Sequence, residues 1–335
     1  MDWNRPALLL MLLFSLVGCS ASEEEQNLES QKQDYFERAT EYYNMGRYTQ
    51  AYQQARRGLE IEPDNGGLNL IAGRSLLLHR DITEVSHALL YLETAQEELN
   101  DDKADQAMAE WHFRYGSLLL QSAESEKLKY TEYPLNDAEQ QAMKLAEAAE
   151  RGDKAMEHFV EANDLLDSVL IESGDNLNAL EMSGQVNALL GNDMEALKPL
   201  MASLRLLEES RRYNNRLLAT EERLSMEQED YIRRVLKSDM RREVAVHFLV
   251  AGIHKRAEAF LAEEHEYTVI LGLSPESVWA LHSRALCRYE RGRLSDAATD
   301  MREFVASTDM DFDSDQVAQA LNIISEYDQL QSKVD

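Results

Sequence analysis

Cysteine is almost missing from this chain. Its 335 residues include only Cys19 and Cys287, too few for a disulfide framework. Five prolines, 14 glycines and no runs of alternating β-branched residues leave little basis for a sheet domain, so the chain reads as all helix. Positive charge is scarce: 34 Lys and Arg stand against 62 Asp and Glu, a net charge of −28. Nucleic acid and anionic lipid would be repelled. A basic polypeptide partner is permitted, although surface acid serves solubility first. No HExxH, CxxC or glycine-rich phosphate loop occurs, so no cofactor, metal or small-molecule substrate is expected. Glu243, His247 and His254 near one helical face are the closest approach to a metal site. The run Asp309, Asp311, Asp313 and Asp315 lacks the central glycine and closing glutamate of a calcium loop, and reads as a linker into a helix N-terminus. Glu263, Glu264, His265 and Glu266 read as a solvated face.

What the chain does contain is a repeated punctuation of small residues. Ala39 is followed by Gly46, Ala51 and Pro63; Gly184, Gly191 and Ala196 stand at the same intervals, as do Ala285, Gly292 and Ala297. Two helices approach closely only where neither side chain projects between them, and the glycine supplies a left-handed turn. Pro63 and Pro275 follow apolar helix ends, where a missing donor stops one hairpin and starts the next.

The set Ala39, Tyr42, Gly46, Tyr48, Ala51, Leu59 and Pro63 resembles the tetratricopeptide repeat family, whose unit is 34 residues. Ala55 and Gly58 depart from the family pattern and imply a looser first hairpin; Ser203 and Phe304 are similar departures. The resemblance implies an all-α fold, a right-handed solenoid of TPR-like helical hairpins spanning 34–308. Residues 309–335 then form a linker and a C-terminal capping helix, with Val317, Ala320, Leu321 and Ile324 as its apolar stripe.

A second hairpin is expected from Gly66, turning at Arg80-Asp81, and a third from Trp111. Residues 121–153, with Pro134 and a charged helix from Asp137, read as an insertion or a degenerate hairpin. Phe159, Ala162, Leu166 and Val169 resume the helical face, and a well-marked hairpin opens at Leu177. Gly191 and Gly292 lie 101 residues apart, nearly three periods, so two further hairpins are expected between them, over Tyr213–Ser238 and Val244–Leu273. Ser225 and Gln228 are spaced as a capping box. Pro199 is expected to kink its helix or delay its start.

Arg5, the apolar run Ala7–Val17 and Leu16-Val17-Gly18-Cys19 together resemble the signal and lipobox of bacterial lipoproteins. The run is too short for a membrane span and about the length of an export-signal core. The resemblance implies a signal peptide over 1–18, acylation of Cys19 and a membrane anchored through lipid. Ser20 in place of Asp implies the periplasmic face of an outer membrane. Residues 19–33 read as a flexible tether. With Cys19 lipidated, Cys287 has no intrachain partner and reads as a small core residue.

In this family the first helix of each hairpin lines a concave face. Carried over, that face comprises Phe36, Thr40 and Tyr43; Asn178, Glu181 and Gln185; and Trp279, His282, Leu286 and Tyr289. Such a wall suits an extended peptide or a partner helix. The expected function is an envelope scaffold or adaptor, not an enzyme, binding a protein or peptide partner in pilus or secretion assembly or in control of cell-wall enzymes. The competing class is a helical-array enzyme acting on cell-wall material, which would show buried carboxylates facing a deep pocket.

Overall fold

Gly46, Gly191 and Gly292 hold φ of 72°, 78° and 73°, the left-handed backbone that costs other residues about 1–2 kcal/mol. One residue beyond each, an amide reaches back over the last helical turn: Arg47 N–H donates to Tyr42 O at 2.8 Å, Asn192 to Asn187 at 2.8 Å and Arg293 to Arg288 at 2.9 Å. These bonds satisfy carbonyls that a helix end leaves open and reverse the chain within three residues.

The structure, a computed structural model, describes residues 26–78, 81–220, 224–311 and 314–333. Among them it is helical with no strand: α1 (26–44), α2 (Tyr48–Leu59), α3 (Gly66–Leu77), α4 (Ile82–Leu99), α5 (Asp102–Glu132), α6 (Ala138–Glu172), α7 (Leu177–Leu189), α8 (Asp193–Ala219), α9 (Met226–Arg256), α10 (Phe260–Leu273), α11 (Val278–Glu290), α12 (Leu294–Ser307) and α13 (Asp315–Gln331). No helix among the described residues is long and apolar enough to cross a membrane. The signal, Cys19 and the first part of the tether lie outside the described residues, as does Arg80 of the second expected turn.

The chain divides after Gly174 into two compact units. In the first, α2 packs on α3, α3 on α4 and α5, α4 on α5, and α5 on α6. Ala39, Ala55, Leu68 and Ala72 form one core, and Leu76, Val85, Leu92, Ala107 and Trp111 the next. Trp111 donates its indole N–H to Val85 O at 2.7 Å. In the second unit each helix from α7 to α13 packs on its successor, and α7 meets α9 as α11 meets α13. Its interior runs from Ala196, Leu200, Val246 and Val250 through Tyr267, Ile270 and Ala280 to Ala285, Ala297, Met301, Phe304 and Val317.

Close approach explains the small residues. Ala39, Ala51, Ala196, Ala285 and Ala297 are fully buried, and a Cβ on Gly184 would lie 2.4 Å from Leu200 Cγ. Gly58 is no looser: Leu68 and Tyr35 fill the space its side chain would take. Ser203 and Phe304 are both fully buried, and the Ser203 hydroxyl is spent on Leu200 O at 2.8 Å. Cys287 is buried as expected, its thiol donating to Phe260 O at 3.1 Å.

Several expectations are corrected. Residues 121–153 are no insertion between hairpins, because α5 and α6 are simply long, 31 and 35 residues, and α5 starts at Asp102, before Trp111. Between Gly191 and Gly292 one hairpin stands in place of two, since α8 and α9 take up 27 and 31 residues. Its turn was hidden because Glu258, not glycine, holds the left-handed position at φ 53°, with Ala259 N–H bonded back to His254 O at 2.9 Å. Glu258 stands one 34-residue period before Gly292. α8 begins at Asp193 and continues through Pro199, losing only the bond that a residue with an N–H would give to Glu195 O. Residues 26–33, expected as tether, are helical, and Lys32 reaches Glu29 at 2.6 Å and Glu62 at 3.4 Å. In α13, Val317 and Ala320 are buried as predicted, while Leu321 is exposed and Ile323 takes its place. The capping box forms, with Gln228 N–H to Ser225 Oγ at 3.2 Å and Ser225 N–H to Gln228 Oε1 at 2.9 Å.

Two substitutions test this packing by urea denaturation. Glu258→Gly relieves the left-handed cost and is expected to stabilise the fold by roughly 0.5–1 kcal/mol. Gly184→Ala forces a methyl against Leu200 and is expected to destabilise by about 1–3 kcal/mol.

Candidate functional site

Phe36, Thr40 and Tyr43 share one face of α1, spaced three and four residues apart. Phe36 lies over Gly67, where a Cβ would sit 2.7 Å from its ring, so the phenyl fills space that the glycine leaves. Thr40 donates its hydroxyl to Phe36 O at 2.8 Å. Tyr43 meets Tyr48 edge to face with ring centres 5.4 Å apart, and burial raises its phenol pKa. Phe36 and Thr40 also border a shallow depression of about 480 Å³ with Glu37, Glu41, Asn44 and Met45. All three residues are half-buried, so they present edges and not whole rings.

In the second unit the expected residues divide by what the neighbouring helices do to them. Arg242 of α9 grips α7, donating to Glu181 at 3.0 and 2.9 Å and to Asn178 Oδ1 at 2.6 Å. Those two side chains therefore hold one first helix to the next. Gln185 is half-buried on the same helix. On α11, Trp279 is 49% exposed, but His282 is buried against Phe304 with ring centres 4.9 Å apart and Leu286 packs on the core beneath α13. Tyr289 donates its hydroxyl to Glu326 of α13 at 2.8 Å. The expectation that His282 lines an open wall is thus corrected, because the capping helix packs against α11.

The charged cluster read as a solvated face is also corrected. Glu263, Glu264 and Glu266 are buried. Glu264 accepts from Arg288 at 2.8 Å and Arg293 at 2.7 Å and pairs with Arg291. Burial pushes its carboxyl pKa up, but the Arg288 hydrogen bond and the charges of Arg293 and Arg291 outweigh that and hold it below the usual range. Asp300 accepts from Arg284 at 2.9 Å and Arg288 at 2.7 Å. Glu266 meets His247 at 2.5 Å, and Glu243 takes both arms of Arg211 at 3.1 Å. Glu263 forms no ion pair with a described residue, and burial raises its pKa against the charge of Lys255; burial first and Glu263 second push the Cys287 thiol up to about 11. Such a thiol is inert at neutral pH. The signal in the sequence was Arg284 and Arg288 one turn apart, meaningful only once their partner helices are known.

Among the described residues no group of three or more His, Cys, Asp or Glu is arranged to hold a metal ion. Two histidines of the first unit do meet: His112 of α5 and His158 of α6 face each other Nδ1 to Nδ1 at 3.0 Å. Trp111, stacked on Tyr115 with centres 5.1 Å apart, lies edge-on to His158. The short contact requires one ring to donate its Nδ1–H and the other, unprotonated at Nδ1, to accept. Burial, then the neighbouring His158, lowers the pKa of His112 to about 4, and burial lowers that of His158.

No protein-family model and no curated protein matches the chain. Solved structures do resemble it. The pilF protein of Pseudomonas aeruginosa is 12% identical over 88% of this chain and 97% of its own, with a TM-score of 0.49. A thermophilic TPR protein of Thermus thermophilus is 16% identical over 76% of this chain and 98% of its own, at 0.42. A tetratricopeptide repeat protein of Parabacteroides merdae is 15% identical over 88% and 98%, at 0.38. At these scores the likeness assigns neither fold nor function; the fold stands on the turns and packed hairpins described above.

The histidine pair gives a pH test. Unfolded histidine titrates near 6.5 and folded His112 at about 4, so between those values the unfolded chain binds a proton that the folded chain refuses. The stability that neutral His112 contributes is full above pH 6.5 and is lost as pH falls toward 4. Urea midpoints at pH 7.5 and 5 are expected to differ less for His112→Gln than for the unaltered chain.

Proposed function

We propose that this chain is a scaffold of the bacterial cell envelope, held to a membrane by lipid on Cys19, that binds a protein or peptide partner on its helical hairpins. The observation that carries this reading is Trp279, a large aromatic left half exposed on the first turn of α11. Exposed tryptophan is the residue type most often found at the energetic centre of a protein interface. The partially open Phe36 and Thr40 depression on α1 supports a second contact within the first unit.

Recruitment is the mechanism. Confining a scaffold to a surface raises the effective concentration of whatever it holds, with no new contact. Outer-membrane sorting follows from Ser20, and both assembly of a pilus or secretion complex and control of cell-wall enzymes fit such a tether. The enzyme reading is not favoured by the buried carboxylates: Glu243, Glu264, Glu266 and Asp300 are each bound to arginine or histidine, Asp239 accepts from Ser210, and Glu263, which lacks such a partner, stands with the others outside the depression on α1.

A photo-crosslinking residue placed at Trp279 in cells is expected to give one discrete protein adduct in the membrane fraction, and Cys19→Ala to move the chain into the soluble fraction. Trp279→Ala should weaken the isolated pair by about 2 kcal/mol or more while leaving stability within about 0.5 kcal/mol. Absence of an adduct, or unchanged affinity, would remove the contact from this surface.

A further inference from the structure

α8 and α9 run on together past the helices that flank them. The 13 residues of α7 lead into α8 through the tight Gly191 turn and cover only its opening half; the 14 residues of α10 likewise cover only the closing half of α9. The remainder, 207–219 and 226–242, forms a two-helix arm clamped at its base by Ser210 to Asp239 at 2.6 Å and by Arg211 to Glu243. Burial follows this boundary. α8 buries nothing beyond Leu207, and α9 buries only Ile232 and Asp239 before Glu243.

One side of the arm carries a groove of about 500 Å³ whose floor is Leu218, Leu236 and Met240 and whose rim is Arg211, Arg233 and Lys237. Along α9 these make two parallel lines, Arg233 with Lys237 and Leu236 with Met240, each stepped by one helical turn. The charge here is opposite to that of the rest of the molecule. Ten of the chain's 34 Lys and Arg fall between Arg205 and Arg242, against eight of its 62 Asp and Glu. Lys237 forms no ion pair with a described residue, and Arg233 reaches Glu229 only at 3.7 Å with both side chains exposed, a pairing worth little.

We propose that this groove takes an acidic amphipathic helix from a partner polypeptide, laid along α9 to complete a three-helix bundle. An apolar stripe on that helix would cover Leu218, Leu236 and Met240, and carboxylates one turn apart would meet Arg233 and Lys237. A helix matches the one-turn step of both lines along their length, whereas a flat anionic surface would meet the rim and leave the floor wet. The partner is thus opposite in charge to one chosen by the chain's overall balance. The surface is separate from Trp279, so this inference goes beyond the function proposed above and stands or fails independently of it.

The test uses the full chain and a fluorescein-labelled synthetic helix of about 20 residues, with Leu at helical spacing flanked by Glu, beside a scrambled peptide of equal composition. Anisotropy titration is expected to show saturable binding roughly tenfold tighter than the scrambled peptide and weakened by salt. The double variant Arg233→Glu, Lys237→Glu is expected to lose roughly tenfold or more; both positions are exposed, and circular dichroism checks that helicity is kept. Leu236→Ala should weaken binding with no change in its salt dependence. Equal affinity for the scrambled peptide, or binding indifferent to charge reversal, would overturn the proposal. So would capture on anionic phospholipid vesicles in place of the peptide, or self-association of the chain that the double variant abolishes, which would give the groove to a lipid surface or a second copy.

Discussion

Everything in both units depends on how closely two helix backbones can approach. Where Ala39, Ala196, Ala285 and Ala297 are buried without remainder, and where Gly184 leaves room for Leu200, the facing helix comes near enough for its own large side chains to reach the next layer. A left-handed residue at Gly46, Gly191, Glu258 or Gly292 then returns the chain at once, so that the two helices of such a hairpin meet along their length. Helices of 12–14 residues are too short to stand alone in water. Tertiary packing holds them, and the small residues are what let that packing form.

This constraint also explains which parts of the fold were legible in the sequence. Glycine turns, proline boundaries and the capping box at Ser225 are local devices, and each was found where its residues stand. Glu258 shows the limit: a left-handed turn can be forced on a residue that does not prefer it when the helices on both sides are already packed. Without a glycine to mark it, the α9–α10 turn could not be read, and the distance from Gly191 to Gly292 suggested one hairpin too many. Lengthening adjacent helices as antiparallel pairs, as in α5 with α6 and α8 with α9, disturbs the period along the chain while leaving the stacking intact, because the chain goes out and returns by the same amount.

The candidate binding residues were less legible for a different reason. Periodicity assigns Asn178, Glu181, His282 and Tyr289 to a face of their helices, but it cannot say whether that face meets a ligand or the next helix of the same chain. Arg242 supplies the answer for Asn178 and Glu181, Phe304 of α12 for His282 and Glu326 of α13 for Tyr289. Trp279 is left at the surface because it sits on the first turn of α11, away from the contacts that bury His282. The arm was invisible for a related reason, since its cations and leucines are ordinary in composition and acquire meaning only when two helices bring them side by side.

The buried charges on α10, α11 and α12 carry one more consequence. Glu264 and Asp300 are removed from water and rely on Arg284, Arg288, Arg291 and Arg293. A hydrophobic interface tolerates sliding, because one leucine replaces another at modest cost. Ion pairs out of solvent do not, since a slip of α11 by one turn would strand arginine against apolar surface and leave carboxylates uncompensated. The network therefore acts as a key that admits one alignment of these three helices.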